Sequence, residues 1–251
     1  MQDRGPAAYV AEFIGTFALV LFITLAVSLY VSPPDPQTGQ VPFIDFSVIG
    51  LVHVFALFML IQTLAVVSGA HFNPAVTVAM TALRQIKPPD ALIYVVAQLA
   101  GAVAAALVTK AVLVEFPNAE AVNFGATAVG DRLNGEALLG ALVEGIGTFF
   151  LVWAIIGVAV NPRGSKEWAA LVIGGTLGLV VFVAGPLTGA GINPARWFGP
   201  ALVASEFGDF NDWFFAFVLA PVLGALLAAA LYFNLFMSPG KKGEEGMEPV
   251  G

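Results

Sequence analysis

The sequence predicts an all-α membrane protein with six transmembrane helices, two re-entrant half-helices and an inverted 3+3 repeat. Three observations lead to this prediction. The chain of 251 residues is 59% hydrophobic and only 11% charged, it contains six long apolar stretches, and the tripeptide Asn-Pro-Ala interrupts apolar sequence twice. Soluble domains carry about a quarter charged residues. The chain therefore has too little polar surface to face water on all sides.

Six stretches are long enough to cross a bilayer, since about 20 apolar residues span the ~30 Å of hydrocarbon. The first is too long for the apolar part of a signal peptide, so it is also predicted to be a span. The six predicted spans are residues 8–30, 47–67, 91–113, 136–160, 168–187 and 213–237.

The basic residues predict the orientation. If both termini are cytoplasmic, the positive-inside rule is satisfied, because seven basic residues lie inside: Arg4, Arg84, Lys87, Arg163, Lys166, Lys241 and Lys242. Only Lys110 and Arg132 then lie outside. We expect an integral protein of the plasma (inner) membrane, with one domain over residues 1–239 and a disordered cytoplasmic tail over 240–251.

An internal repeat divides the chain. The segment Ala-Glu-Phe-Ile-Gly-Thr-Phe at 11–17 recurs as Val-Glu-Gly-Ile-Gly-Thr-Phe at 143–149, and 98–102 resembles 221–225. The repeats cover about 7–113 and about 136–237. Three spans per repeat is an odd number, so the second repeat is inverted relative to the first. Sites in such proteins lie near the midplane between the repeats.

Each Asn-Pro-Ala opens a short helix, over residues 74–84 and Pro194–Ala204. Eleven residues give ~16 Å of helix, about half a membrane. Asn at the N-cap and Pro at the first helical position favour a helix start, and the two positive dipole ends are expected to meet near the centre. The approaches are rich in small residues whose carbonyls could line a narrow path: Gly69, Ala70, Gly189 and Gly191.

These motifs resemble the aquaporin, or major intrinsic protein, family. The resemblance covers nearly the whole chain, and rests on both Asn-Pro-Ala boxes with their flanks at 68–77 and 191–196 and on both Glu-x-x-Gly-Thr-Phe motifs. It implies an aquaporin-like channel in the lipid bilayer for water and small uncharged solutes. It also implies a homotetramer in which each subunit has its own pore.

The boxes and one arginine are the first candidate site residues. The side-chain oxygens of the box asparagines could only cap their own helices, or their amide NH2 groups could also donate to solute in the pore. Arg196 opposes the dipole of its own half-helix and is predicted to be a fixed positive charge in an outer filter. The box residues are Asn73, Pro74, Ala75, Asn193, Pro194 and Ala195.

Spacing from the boxes, matched to the family, places a selectivity filter at His53, Val181, Ala190 and Arg196. This quartet departs from the water-channel pattern of Phe, His, a small residue and Arg, and from the glycerol pattern of Trp, Gly, Phe and Arg. Val181 stands where the water-only members of the family have a histidine. Its smaller side chain should widen the constriction. We expect water plus ammonia or hydrogen peroxide, ahead of glycerol.

Three further residues are candidates to support the loops. Glu12 and Glu144 are acids within apolar spans, and their paired placement suggests acceptors for the N–H groups of the re-entrant loops, with a proton relay as the alternative. His71 is predicted to form hydrogen bonds in the cytoplasmic vestibule; a gating role is the alternative reading. All three are read from the sequence.

A passive channel is the leading functional interpretation, with a glycerol or polyol facilitator of the same fold as the alternative. A coupled carrier is less favoured because the spans contain few ionisable residues. A structural membrane protein with a closed pore is a further alternative. No enzyme activity, cofactor or metal is expected. The net charge of −7 argues against nucleic acid, and cysteine is absent.

Overall fold

The computed structural model describes residues 4–32 and 43–237. It confirms the all-helical prediction, with six helices long and apolar enough to cross a membrane: Pro6–Tyr30, Phe46–Ser68, Pro88–Val112, Ala137–Val160, Lys166–Thr188 and Asp212–Met237. The predicted tail at 240–251 lies outside the described residues.

The elements follow one another in a simple order. The α-helices are α1 (Pro6–Tyr30), α2 (Phe46–Ser68), α3 (Pro74–Ala82), α4 (Pro88–Val112), α5 (Pro117–Ala121), α6 (Ala137–Ile155), α7 (Ala169–Thr188), α8 (Pro194–Ala204) and α9 (Ala220–Tyr232). Three π-helical segments lie in the fourth and sixth spans, one at the end of the fourth and one at each end of the sixth: Ile156–Val160, Asp212–Leu219 and Phe233–Met237. Strands β1 (Val31–Ser32) and β2 (Phe43–Ile44) form a two-residue antiparallel ladder.

The short helices α3 and α8 begin where the sequence predicts and differ slightly at their ends. Each starts at the proline of its box, after an asparagine N-cap. Helix α8 has the predicted bounds, but α3 ends at Ala82 rather than at residue 84. Arg84 has a left-handed φ of 57°, which no residue inside an α-helix adopts.

The packing of the helices is symmetric between the repeats. Helix α1 packs against α4 and α2, and its counterpart α6 packs against α9 and α7. Helix α8 contacts α4, while α3 contacts α9, so each half-helix packs against the third span of the other repeat. Helices α2 and α7 pair with each other across the junction. Exchanging the repeats leaves this set of contacts unchanged, as a two-fold relationship requires.

Glycines at equivalent positions allow close helix crossings in the two repeats. A Cβ on Gly101 of α4 would stand 2.5 Å from the Phe13 carbonyl oxygen of α1. A Cβ on Gly224 of α9 would collide in the same way with the Gly145 carbonyl oxygen of α6. Small residues let helix backbones approach closely in membranes, where dispersion contacts replace the hydrophobic effect between helices.

Candidate functional site

The starts of the two half-helices meet through their asparagines. Asn73 Nδ2 donates to the Ile192 carbonyl at 2.9 Å, and Asn193 Nδ2 donates to the Phe72 carbonyl at 2.8 Å. Each amide therefore bonds to the residue that precedes the other asparagine. An NH2 group carries two donors, so one N–H of each amide remains available.

The side-chain oxygens of the same asparagines cap their own helices. Asn73 Oδ1 accepts from the Ala75 N–H at 2.9 Å, and Asn193 Oδ1 accepts from Ala195 at 3.0 Å and from Arg196 at 3.3 Å. The prolines need no such acceptor because they carry no N–H. Both parts of each amide are thus used, the oxygen for its own helix and the nitrogen for the opposite loop.

The loops before the boxes share one unusual backbone conformation. Positive φ angles occur at 69, 70 and 72 in the first loop and at 189, 190 and 192 in the second. Apart from the two glycines, these positions hold residues for which such angles are uncommon, among them the β-branched Ile192 with φ 40°. A conformation of this kind persists only when its surroundings enforce it.

Glu12 provides that enforcement in the first repeat. Its Oε1 accepts from the Ser68 hydroxyl at 2.6 Å and from the His71 N–H at 2.9 Å. Its Oε2 accepts from the Phe72 N–H and from the Gln98 amide, both at 2.7 Å. Glu12 is fully buried, and four donors offset the cost of burying a carboxyl group.

Glu144 does the same in the second repeat with one partner fewer. Its Oε1 accepts from the Thr188 hydroxyl at 2.5 Å and from the Gly191 N–H at 2.9 Å, and its Oε2 accepts from the Ile192 N–H. In each loop, the N–H groups of the two residues before the box asparagine therefore donate to a glutamate.

A second anchor for each loop was not anticipated from the sequence. The ring of Phe72 occupies the space that a Cβ on Gly15 would need, and the Ile192 side chain lies 2.8 Å from where a Cβ on Gly147 would be. The signal was present, because these are the glycines of the two Glu-x-x-Gly-Thr-Phe motifs. Each motif thus holds its loop in two ways. Its carboxylate accepts hydrogen bonds from the loop, and its glycine leaves space for a side chain of the loop.

A cavity runs past the meeting point of the half-helices and is lined by residues from both repeats. One set of lining residues is apolar and comes from the long helices: Leu19, Ile23, Leu57, Leu151, Ile155, Ile173 and Leu177. The other lining residues come from the loops and half-helices or are polar: His53, Ala70, His71, Asn73, Val76, Ala190, Gly191, Ile192, Asn193 and Arg196. The seven side chains of the first set form the apolar wall of the cavity, and every polar side chain of the lining belongs to the second set.

Most of the lining obeys the two-fold relationship. Repeat-related pairs of identical type are Leu19 with Leu151, Ile23 with Ile155, Leu57 with Leu177, Ala70 with Ala190, and Asn73 with Asn193. Three repeat-related pairs differ in type. In each, one repeat has a ring or a charge where the other has a smaller or apolar residue: His53 with Ile173, Arg196 with Val76, and His71 with Gly191. The two ends of the cavity therefore differ chemically.

Arg196 and His53 bring polar atoms without partners to the cavity. The Arg196 guanidinium donates from Nη1 to the Gly125 carbonyl at 2.8 Å, while its Nε is buried with no partner. His53 Nδ1 lies 2.7 Å from the Ile49 carbonyl, which can only accept. Nδ1 therefore carries the proton, and Nε2, which has no partner, is a free acceptor in the neutral ring.

The other two residues of the predicted filter lie differently. Ala190 lines the cavity. Val181 is 1% exposed, packs with Ile49, Ala184 and Ala190, and is not among the lining residues. The structure thus brings three of the four together at the cavity and places Val181 in a buried cluster with Ala190.

His71 lines the cavity near the opposite end. Its Nδ1 is 3.1 Å from the Thr77 hydroxyl, which donates to the Asn73 carbonyl at 3.1 Å and accepts from the Gln98 amide at 3.0 Å. The hydroxyl has one hydrogen, so His71 Nδ1 is the donor and Nε2 is left open. These partners do not follow from the motifs; a glutamine within an apolar span is the sequence signal that points to Gln98.

Metal binding has no support in the part of the chain that the structure describes. No group of three or more His, Cys, Asp or Glu side chains is placed to hold an ion there. What the site offers is hydrogen-bond donors and acceptors along a narrow apolar-backed path.

The fold and the site define a membrane-spanning protein with an inverted repeat and an axial cavity between two re-entrant half-helices. The family described as Major intrinsic protein matches residues 5–232. The chain therefore belongs to the major intrinsic protein family of membrane channels.

Individual relatives agree with this membership. Aquaporin AqpM of Methanothermobacter thermautotrophicus is 35% identical over 236 residues, which cover 89% of this chain and 94% of that protein. Glycerol uptake facilitator protein-like 6 of Lactiplantibacillus plantarum is 36% identical over 223 residues, covering 88% and 94%. The X-ray structure of the aquaglyceroporin from Plasmodium falciparum has a similar fold, with a TM-score of 0.78, 22% identity and coverage of 92% and 96%.

Proposed function

We propose that this protein is a passive channel for water and small neutral solutes that excludes protons and other ions. The observation that carries the proposal is the pair of reciprocal bonds between Asn73 and the Ile192 carbonyl and between Asn193 and the Phe72 carbonyl. They bring the positive ends of two half-helices to one point of the cavity. A cation at that point meets two positive dipole ends, whereas the oxygen of a neutral solute meets donors.

The mechanism uses the donors that the fold leaves over. One N–H of Asn73 and one of Asn193 can donate to a passing oxygen, while the apolar wall offers it no competing partner. Toward one end, Arg196 adds a full positive charge and His53 adds an acceptor. Half-helix dipoles and an arginine are known barriers to protons and cations in aquaporins, so the barrier itself is a general property of such channels.

The preference among solutes is the finer part of the proposal. We propose His53, Val181, Ala190 and Arg196 as the filter, with Val181 acting through its packing with Ala190 by setting the position of that residue. No bulky side chain stands at residue 181, so ammonia and hydrogen peroxide are favoured beside water. Glu12 and Glu144 are proposed to hold the loops, because their carboxylates accept from loop N–H groups. His71 is proposed to hold the first loop through the contact of its ring with the Thr77 hydroxyl of α3.

A glycerol or polyol facilitator is the second candidate. The apolar wall of the cavity suits the carbon backbone of a polyol, and one relative is named a glycerol uptake facilitator protein. Two residues of α8 argue against it. Trp197 and Ala201 stand where the glycerol facilitators of the family have an Asp and a basic residue. Neither a coupled carrier nor a closed structural protein is favoured by a contact in the described residues.

Reconstitution into liposomes tests the proposal. Osmotic shrinkage followed by light scattering should show water flux well above that of empty vesicles. Parallel measurements with ammonia, hydrogen peroxide and glycerol rank the solutes. Water flux with all three solutes excluded would reject the solute preference, and no water flux at all would reject the channel function. Val181→His should lower the flux of the larger solutes relative to water.

We further propose the setting of the channel in the membrane. Residues 1–239 form one domain with repeats at about 7–113 and about 136–237, supported by the symmetric helix contacts. Both termini are cytoplasmic in the plasma (inner) membrane, supported by the distribution of basic residues. Four copies assemble, each with its own pore; cross-linking in native membranes would test the number.

A further inference from the structure

The two repeats do not contribute equivalent charged residues to the two ends of the cavity. Arg196 marks one end, but its counterpart in the first repeat is Val76, and the counterpart of His53 is Ile173. The lining residues that correspond to Arg196 and His53 therefore provide no cation at the end where His71 lies.

Arg4, which precedes α1, brings a charge to that end. Its Nη2 lies 3.4 Å from the position of a Cβ on Gly69, and His71 Nε2 lies 3.5 Å from the same position. The guanidinium and the imidazole therefore converge at Gly69, where the first loop begins. His71 lines the cavity, so Arg4 stands beside its mouth.

The segment that carries Arg4 is tied down by α4. Asp90, in the first turn of α4, accepts from the Arg4 backbone N–H at 3.4 Å and from the Tyr9 hydroxyl at 2.6 Å. The Tyr9 hydroxyl is also 3.3 Å from the Arg4 carbonyl. These contacts hold the backbone of Arg4 and leave its side chain to extend toward Gly69.

The acids near Arg4 that the structure describes are engaged elsewhere. Asp90 uses its oxygens on a backbone N–H and a hydroxyl, and Glu12 uses its oxygens on four donors. Arg4 Nε is buried and has no hydrogen-bond partner among the described residues. A buried donor left unpaired is costly, which points to a role for the guanidinium at this position.

We propose that Arg4 is a specificity-determining residue that forms a second barrier to cations, at the end of the channel opposite Arg196. The inference rests on the proposed channel function. Two charge barriers then act in series along a single path, and the higher of the two limits cation passage. Removing one leaves the other, so only the loss of both produces a large leak.

Proton leak in liposomes tests the series arrangement. A potassium diffusion potential drives protons, and a trapped pH dye reports their entry. Arg196→Val introduces the residue found at the equivalent position, and by itself it should raise the leak modestly. Adding Arg4→Gln should raise the leak at least about five-fold further. One unit charge repels a cation several Å away by enough to produce a change of that order at intermediate dielectric.

Matched variants separate charge from structure. Arg84 lies exposed in the turn between α3 and α4, so Arg84→Gln on the Arg196→Val background should leave the leak unchanged. Arg4→Lys on that background keeps the charge and should do the same. Equal leak in Arg196→Val with and without Arg4→Gln would overturn the proposal.

Water flux distinguishes the other outcomes. Arg4→Gln alone should keep water flux within about two-fold of the wild type, because the charge of Arg4 opposes cations and not neutral water. A several-fold gain in water flux without extra leak would make Arg4 a steric plug, and a loss of water flux would make it a structural residue; either contradicts the barrier. A wild-type protein without water flux would instead contradict the channel function itself.

Discussion

Glu12 and Glu144 occupy equivalent places in the two repeats, but Glu12 receives four hydrogen bonds and Glu144 three. The difference is Gln98 of α4, whose counterpart in α9 is Pro221, a residue with no side-chain donor. The second loop therefore depends on its glutamate with less support from neighbours. It is also the loop that carries Ala190 to the cavity.

Replacing Glu144 by glutamine should destabilise the second loop. An amide NH2 would face the N–H groups of Gly191 or Ile192, and each buried donor left unpaired costs about 1–3 kcal/mol. We expect a lower unfolding temperature in detergent and a loss of water flux. Glu120→Gln removes a charge from an exposed position and serves as the control. Equal unfolding temperatures for the two variants would contradict a bracing role for Glu144.

Adding one methyl group at Gly224 should weaken the crossing of α9 and α6. The new Cβ would collide with the Gly145 carbonyl oxygen, and overpacking of this kind costs about 1–3 kcal/mol. Gly175→Ala is the matched control, because a Cβ at Gly175 has no atom within 4 Å. Thermal unfolding of the two variants in the same detergent measures the difference. A control as unstable as Gly224→Ala would show that the crossing is not the cause.

The role of the reciprocal asparagine bonds can be tested by replacing one side-chain NH2 group with an oxygen. Asn193→Asp puts a carboxylate oxygen against the Phe72 carbonyl oxygen, which removes a donor and adds repulsion, so water flux should fall at least about ten-fold, as a loss of ~1.4 kcal/mol or more implies. Asn134→Asp makes the same change at an exposed residue and should have no effect. Wild-type flux in Asn193→Asp would argue that the bond does not hold the pathway open.

The absence of cysteine allows a direct test of what lines the pathway. With no thiol in the chain, mercurials should not block the wild type. Ala190→Cys places a thiol in the cavity and should make water flux sensitive to them. Val181→Cys, in the buried cluster with Ala190, should react far more slowly, and Val183→Cys on the exposed face of α7 should react without loss of flux. Strong block through residue 181 would place Val181 in the lining after all.

Much of the fold was predictable because the membrane imposes strong local rules. A span must be long and apolar, so six spans can be read from composition and length, and the structure confirms them. The starts of α3 and α8 were predictable because Asn and Pro act within one helical turn. The end of α3 was not, since nothing in the local sequence requires the left-handed conformation of Arg84.

The candidate site was predictable only in part. Asn73 and Asn193 line the cavity together with His53, Ala190 and Arg196, yet the filter assignment stays a prediction. The sequence predicts that the asparagine NH2 groups donate to solute in the pore, and this stays a prediction. In the structure one N–H of each donates to the opposite loop, and the other remains available. That bond joins atoms more than a hundred residues apart, and no local pattern reveals it.

The amino-acid sequence by itself determined the class of this protein, its spans, its repeat and the helix starts at both boxes, because hydrophobic length and capping depend on neighbouring residues. Only the tertiary structure decided which side chains reach the cavity. It set Val181 in a buried cluster with Ala190, paired Gln98 with Glu12, and carried Arg4 from the start of the chain to Gly69. Those placements depend on how the helices pack against one another, which short stretches of sequence do not specify.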